Sequence, residues 1–372
     1  MQIFQDPVIQ TIIVLLFIVL ASYMLLTIIS RKKQKSKSDP YIEALEAVTD
    51  GEDDKAIGKF KEAIQQNSNN ISAYLRLGDQ LRIQGLLSSA LKIHKSLTLR
   101  ESLSKPQLLA IYKSLVLDYE ALENYNDAIP AVKMVIELDK SKNNWAVQKL
   151  VDFQERAGKW QDAITTTKKY SKILNGASKS RLAKNLVSYG IQFEKNGEAR
   201  SGRIKYREAI KIDPSYTAAY YHLGKSYVDN ARPDDALKVW KSFCFKVPEK
   251  AHEVFPLIEK VCFEKGEFSD IEDLYNELLD LNTKNVNTVI ALVEIYVKKG
   301  NLNKAMNVLI KSEEYFQNSP QFAAKKVEIL HQKGEHEKAS LEALRFFKTL
   351  YPSRANLTEE GTAVSHENLD TV

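Results

Sequence analysis

Only two cysteines, Cys244 and Cys262, occur in 372 residues, and they stand eighteen positions apart with no second cysteine near either. Zinc-ribbon and rubredoxin-type centres need paired CxxC knuckles, so no structural metal is expected and two buried thiols in a reducing compartment are. Proline, with 10 residues, and glycine, with 14, are also scarce. Little of the chain is therefore available for long irregular segments. Strand-like alternation of Val, Ile and Thr between turn signals is sparse as well. There is no GxSxG, HExxH or phosphate-loop pattern. Acid pairs such as Glu313 and Glu314 read as solvent-facing charge. His331 and His336 straddle the turn "QKGE", so they do not share a helical face as metal ligands would. The chain is read as a non-enzyme, with no catalytic residues, cofactor or metal. The formal net charge of +5 is spread over both signs, and no basic stripe with interleaved aromatics emerges, so nucleic acid is not an expected partner.

What is present is helical periodicity. Apolar residues recur at spacings of three and four through most of the chain, which makes the fold class all-α. From Pro7 to Ser30 there is no charged residue, and "VIQTIIVLLFIVLASYMLLTII" supplies roughly 33 Å of helix, enough for a hydrocarbon core of about 30 Å. The flank "MQIFQD" lacks the positive n-region of a cleaved signal peptide. Arg31, Lys32, Lys33, Lys35 and Lys37 follow at once, and positive charge beside a span marks its cytoplasmic side. Residues 1–30 are expected to be a transmembrane anchor and 31–38 a basic juxtamembrane linker. Asp39 before Pro40 supplies an N-cap and N1 pair for the first helix after it.

A repeat explains an otherwise costly glycine. Gly78 sits inside a helical pattern, where glycine costs about 1 kcal/mol against alanine. Tyr74, Leu77, Gly78, Leu81, Gly85 and Ala90 return in kind as Tyr220, Leu223, Gly224, Tyr227, Ala231 and Ala236, and again from Leu186 and from Val289. The period of 34 residues is that of the tetratricopeptide repeat, a helix-turn-helix unit. Nine units start near residues 37, 71, 109, 144, 183, 217, 252, 286 and 320. At their twentieth position eight carry Ala or Gly, and Ile271 is the misfit. Gly78 is expected to let the first helix of its pair, helix A, approach the second, helix B. Gly85 is expected to form the turn. Extra residues near "RESLSKPQ" and "ILNGASKS" are read as longer inter-repeat loops.

Stacked repeats form a solenoid, expected over residues 39–353, with a concave surface lined by the A helices and suited to binding. Its inward positions include Asp79, Arg82, Lys113, Trp145, Gln148, Asp152, Arg156, Tyr221 and Lys225. Trp145, Tyr221 and Arg82 rank first because aromatics and Arg are enriched at binding hot spots. His94 is expected to pack or hydrogen-bond between repeats. The last helix, "ASLEALRFFKTLY", is apolar on more than the face needed for inward packing, and the acidic tail at 354–372 is expected to be disordered.

The single span, basic linker, nine repeats and the stretches "ALKIHKSL" and "LDYEALENYNDA" together resemble the family of membrane-anchored heat-shock tetratricopeptide proteins called lipopolysaccharide assembly protein B. That resemblance implies a single-pass protein of the bacterial inner membrane with its repeats in the cytoplasm. It further implies an adaptor that brings a membrane AAA+ protease to the deacetylase of lipid A synthesis. The family's C-terminal rubredoxin-like domain has no counterpart in this sequence. The alternative reading is a plain scaffold for an envelope or secretion complex, with no protease involved.

Overall fold

The computed structural model describes residues 7–35, 39–140, 144–174 and 178–350, and every regular element among them is helical. Two compact units divide the chain, Met1–Asn175 and Gly176–Val372.

The first unit opens with α1 (Pro7–Lys35), a helix of 29 residues. Its side chains are described continuously over residues 14–27, and those from Val14 to Leu26 are exposed. No helix long and apolar enough to cross a membrane is found among the described residues. The anchor expected at 1–30 is therefore not shown by the structure. The ends of the expected span and Arg31, Lys32, Lys33, Lys35 and Lys37 lie outside the described side chains, as does the tail at 354–372.

Four helical hairpins follow: α2 (Pro40–Thr49) with α3 (Asp53–Gln66), α4 (Ile71–Ile83) with α5 (Leu87–Leu97), α6 (Lys105–Ala121) with α7 (Tyr125–Leu138), and α8 (Asn144–Arg156) with α9 (Trp160–Lys169). One further turn of helix, α10 (Ser171–Leu174), ends the unit's described part. Asp39 caps α2 by accepting from the Tyr41 amide at 2.9 Å, with Pro40 in the first turn, as the sequence implies. Ala56, Ala90, Ala128 and Ala163, each the twentieth residue of its repeat, are all fully buried. Each helix buries one apolar stripe on its neighbours, and this burial stabilises hairpins that are too short to persist alone.

The second unit contains α11 (Ser178–Lys195) and α12 (Ala199–Ile212), α13 (Thr217–Asp229) and α14 (Pro233–Lys246), α15 (Phe255–Lys265) and α16 (Phe268–Leu281), α17 (Val286–Lys298) and α18 (Leu302–Phe316), and α19 (Pro320–Gln332) and α20 (His336–Leu350). Cys244 and Cys262 are buried free thiols, and burial pushes Cys244 up to about 12.

Every hairpin turn carries one left-handed residue at the fifteenth repeat position. Seven are glycines, from Gly51 and Gly85 to Gly334, and the other two are Glu123 (φ 54°) and Ala231 (φ 54°). The nine-repeat register is thus written into the backbone. Three local departures from the sequence reading appear. The extra residues expected as loops instead lengthen A helices, so α6 has 17 residues and α11 has 18, against 13 in α4, α8, α13, α17 and α19. Pro106 at the start of α6 fits a first turn, where its missing N–H is not needed. In the seventh repeat a 3-10 turn, Pro248–Glu253, takes the place of the first helical turn, and Ile271 is fully buried where the other repeats hold Ala or Gly. On α20, Leu341, Leu344 and Phe347 are 60%, 58% and 57% exposed, so the terminal helix presents an apolar outer stripe.

Candidate functional site

The A helices are held in place by a size exchange with their B partners. At Gly78 in α4 a Cβ would fall 2.3 Å from Nε2 of His94 in α5. Sixteen residues separate the pair, and the same spacing sets Gly190 under the ring of Tyr206, with a hypothetical Cβ at 2.4 Å, and Gly224 under Trp240, at 2.2 Å. The small residue at the eighth position makes room for the ring at the twenty-fourth. In the first repeat that exchange is Ala44 with Phe60, both fully buried. In the seventh it becomes a hydrogen bond, Tyr275 donating to Glu259 at 2.8 Å. Backbone-to-backbone approach, which the sequence suggests for Gly78, occurs instead at Gly202, where a Cβ would lie 2.8 Å from the Gly190 carbonyl oxygen.

His94 also organises a buried polar network. Its Nδ1 lies 2.5 Å from Oδ2 of Asp118 on α6, and its Nε2 lies 3.2 Å from the Leu75 carbonyl on α4. Arg82 donates to Asp118 Oδ1 and to Asp79 Oδ1, both at 2.8 Å, and Ser114 donates to Asp79 at 3.1 Å. The side chains of His94 and Asp118 are fully buried. Burial alone would lower the Arg82 pKa, but the hydrogen bonds and charges of Asp118 and Asp79 hold it above its ordinary value. Arg82 pairs with both carboxylates, so its positive charge offsets theirs within the cluster. The cluster joins the second repeat to the third.

This geometry sorts the residues singled out from the sequence. Asp79 and Arg82 are occupied by the internal network. Lys113 is half-buried on α6. Trp145 is half-buried and packs on the first unit's larger apolar cluster, and Gln148 is exposed one turn along α8. Asp152 is half-buried, while Arg156 is exposed, donates to the Tyr125 hydroxyl at 3.0 Å and lies 5.4 Å from that ring's centre. Lys149, not foreseen, donates to Glu120 on α6 at 2.5 Å and ties the third A helix to the fourth. In the second unit Tyr221 is 37% exposed and meets His222 edge-on at 5.1 Å; Lys225 is exposed one turn further along. His222 itself stacks on Tyr206 at 5.7 Å. Burial lowers its pKa, Glu194 raises it and Lys225 lowers it, with a net downward shift.

Asp118 was missed by reading the sequence. An acid amid the apolar run "SLVLDY" was the available signal. His331 and His336 lie on different helices, as the turn between them implies, and their Nδ1 atoms are 2.9 Å apart. No group of three His, Cys, Asp or Glu side chains suited to a metal occurs among the described residues. What the A-helix faces offer is a set of aromatic, amide and charged side chains on rigid helices, which suits polypeptide recognition.

A tetratricopeptide repeat family model matches residues 263–329. Lipopolysaccharide assembly protein B of Escherichia coli (strain K12) is 19% identical over 260 residues, covering 68% of this chain and 67% of that protein. Its Haemophilus influenzae namesake is 22% identical over 237 residues, covering 61% of this chain and 59% of its own. The TPR repeat-containing protein YpiA of Bacillus subtilis is 22% identical over 175 residues, 47% of this chain and 40% of that one. Among solved structures, a tetratricopeptide repeat protein from Parabacteroides merdae aligns with 80% of this chain and 99% of its own at 12% identity, with a TM-score of 0.35. The chain carries tetratricopeptide repeats and is similar to lipopolysaccharide assembly protein B.

Proposed function

We propose that this chain is a membrane-anchored adaptor that holds protein partners against its A helices on the cytoplasmic side of a bacterial inner membrane. In this reading it regulates lipopolysaccharide synthesis by bringing a membrane AAA+ protease to the deacetylase of the lipid A pathway. The observation that carries the adaptor role is the contrast on the A helices. Asp79 and Arg82 are occupied internally, whereas Gln148, Tyr221 and Lys225 stand exposed on helices that packing holds rigid. The likeness to lipopolysaccharide assembly protein B supports the pathway. The uncharged run from Pro7 to Ser30, the five basic residues that follow that run and the helical course of α1 support an anchor with the repeats inside.

Affinity recovery of the full-length protein from cross-linked native membranes tests this. Both the protease and the deacetylase are expected in the wild-type sample. The pair Tyr221→Ala with Lys225→Glu is expected to deplete at least one of them without changing the melting curve. Samples that repeatedly lack the protease would reject the coupling. Extraction with alkaline carbonate tests the anchor, since a spanning helix stays with the lipid and a peripheral one is released.

The second reading is a scaffold for an envelope or secretion complex without a protease; the 22% identity to the Bacillus subtilis repeat protein, as high as that to either lipopolysaccharide assembly protein, supports the repeats without the protease link. It predicts recovery of envelope or secretion components alone.

A further inference from the structure

The eleventh position of each A helix is hydrophobic in eight of the nine repeats; Leu81, Tyr119, Tyr227, Tyr296 and Leu330 are examples, all nearly buried. The fourth repeat has Gln154 there instead. Its side chain is 2% exposed, and Oε1 finds no hydrogen-bond partner among the described residues. Leaving a buried amide oxygen unpaired costs about 1–3 kcal/mol, which a leucine in its place would avoid. Gln154 lines a pocket of about 490 Å³ between α7, α8 and α9. Ile136 and Leu150 form apolar walls. Lys133, Glu137, Asp162 and Lys169 stand exposed around the mouth, two of each sign.

We propose that this pocket is a carboxamide-binding site that receives an Asn or Gln side chain from a partner polypeptide. The chemistry follows from the lining. A balanced rim favours no net charge. The apolar walls take up the methylene stem. Gln154 is part of the lining, and a primary amide presents a donor and an acceptor on one edge, so two such groups can pair through two hydrogen bonds. A trans peptide bond has its N–H and C=O on opposite edges and makes only one. A carboxylate offers no donor to Oε1, and a thioether offers neither group.

Full-length protein in lipid nanodiscs, labelled with ¹⁵N at glutamine side chains, tests the assignment. N-acetyl-glutamine N-methylamide is expected to shift the Gln154 amide signals saturably. The matched glutamate and methionine probes are expected to bind about tenfold more weakly, the worth of two neutral hydrogen bonds. Gln154→Leu is expected to abolish binding while keeping or raising the melting temperature. Equal binding of the methionine probe, no shift with any probe, or undiminished binding by Gln154→Leu would overturn the proposal. The comparison among probes on the unmodified protein stands even if that variant folds poorly.

Discussion

The ring of His94 lies against the backbone of Gly78, with Nε2, Cε1 and Cδ2 at 2.3, 2.6 and 2.8 Å from where a Cβ would stand. That ring cannot retreat cheaply, because both of its nitrogens are hydrogen-bonded. Gly78→Ala gains about 1 kcal/mol of helix propensity but overpacks a pinned ring at about 1–3 kcal/mol or more. A net destabilisation is expected, read as a lower urea midpoint and loss of amide protection in α4 and α5. Gly58 on α3 provides the internal control, since nothing lies within 4 Å of its hypothetical Cβ. Gly58→Ala is expected to stabilise by up to about 1 kcal/mol. Shifts of the same sign in the two variants would show that the ring does not explain the glycine.

Asp118 is the hinge of the buried network, because it alone accepts from both His94 and Arg82. Asp118→Asn keeps the shape but leaves the Arg82 guanidinium and the His94 ring without their shared carboxylate. Removing one partner of a buried ion pair typically costs about 3–5 kcal/mol. The loss is expected in α4 to α6, seen as faster hydrogen exchange there. Arg82→Ala is expected to destabilise as well, and the double variant by less than the sum, because the two residues share one network. Gln148→Ala, an exposed change nearby, is expected within about 0.5 kcal/mol of wild type. If Arg82→Ala were equally silent, Arg82 would belong with the residues available to a partner.

The second unit carries a pH dependence with a defined sign. Burial holds His222 below its ordinary value of 6.5, so as pH falls the unfolded chain takes up that proton first. The contribution is fully present above about 6.5 and declines as the pH drops towards the folded value. His222→Phe keeps a ring to stack on Tyr206 and removes the titration. Melting temperatures from pH 8 to 5 are expected to fall less steeply for the variant. Parallel profiles would show that His222 does not contribute.

The repeat was legible because its marks are local. An Ala at the twentieth position and a Gly at the fifteenth are set by packing and by φ within one hairpin, so they recur in sequence order. The network around Asp118 was not legible, since its Arg82 partner lies 36 residues away in the neighbouring repeat. Only the stacking of α4 on α6 brings them together. The lengthened α6 and α11 escaped notice for another reason: "SLSKPQ" and "GASKSR" contain caps and helix formers along with loop-like residues, and tertiary packing decides between the two. Gln154 breaks a hydrophobic column, but its burial and unpaired Oε1 depend on the packing of α8 against its neighbours, which the sequence does not display.

Ala231, like Glu123, breaks the turn rule, and at a measurable cost. It holds φ 54° at a position that seven other repeats give to glycine. An L residue in the left-handed region costs roughly 1–2 kcal/mol, while glycine adds about 0.4–1 kcal/mol of unfolded-state entropy. Ala231 is exposed, so removing its methyl forfeits no buried contact. Its amide still donates to Val228 and that of Arg232 to Tyr227, each at 2.9 Å, because both bonds are made by backbone alone. Ala231→Gly is therefore expected to stabilise by about 0.5–1 kcal/mol, and Gly85→Ala to destabilise by a similar amount. Thermal or urea unfolding of both variants decides the matter. A lower midpoint for Ala231→Gly would mean that chain entropy outweighs strain at this turn, and the glycines at the matching turns would then need a reason other than φ.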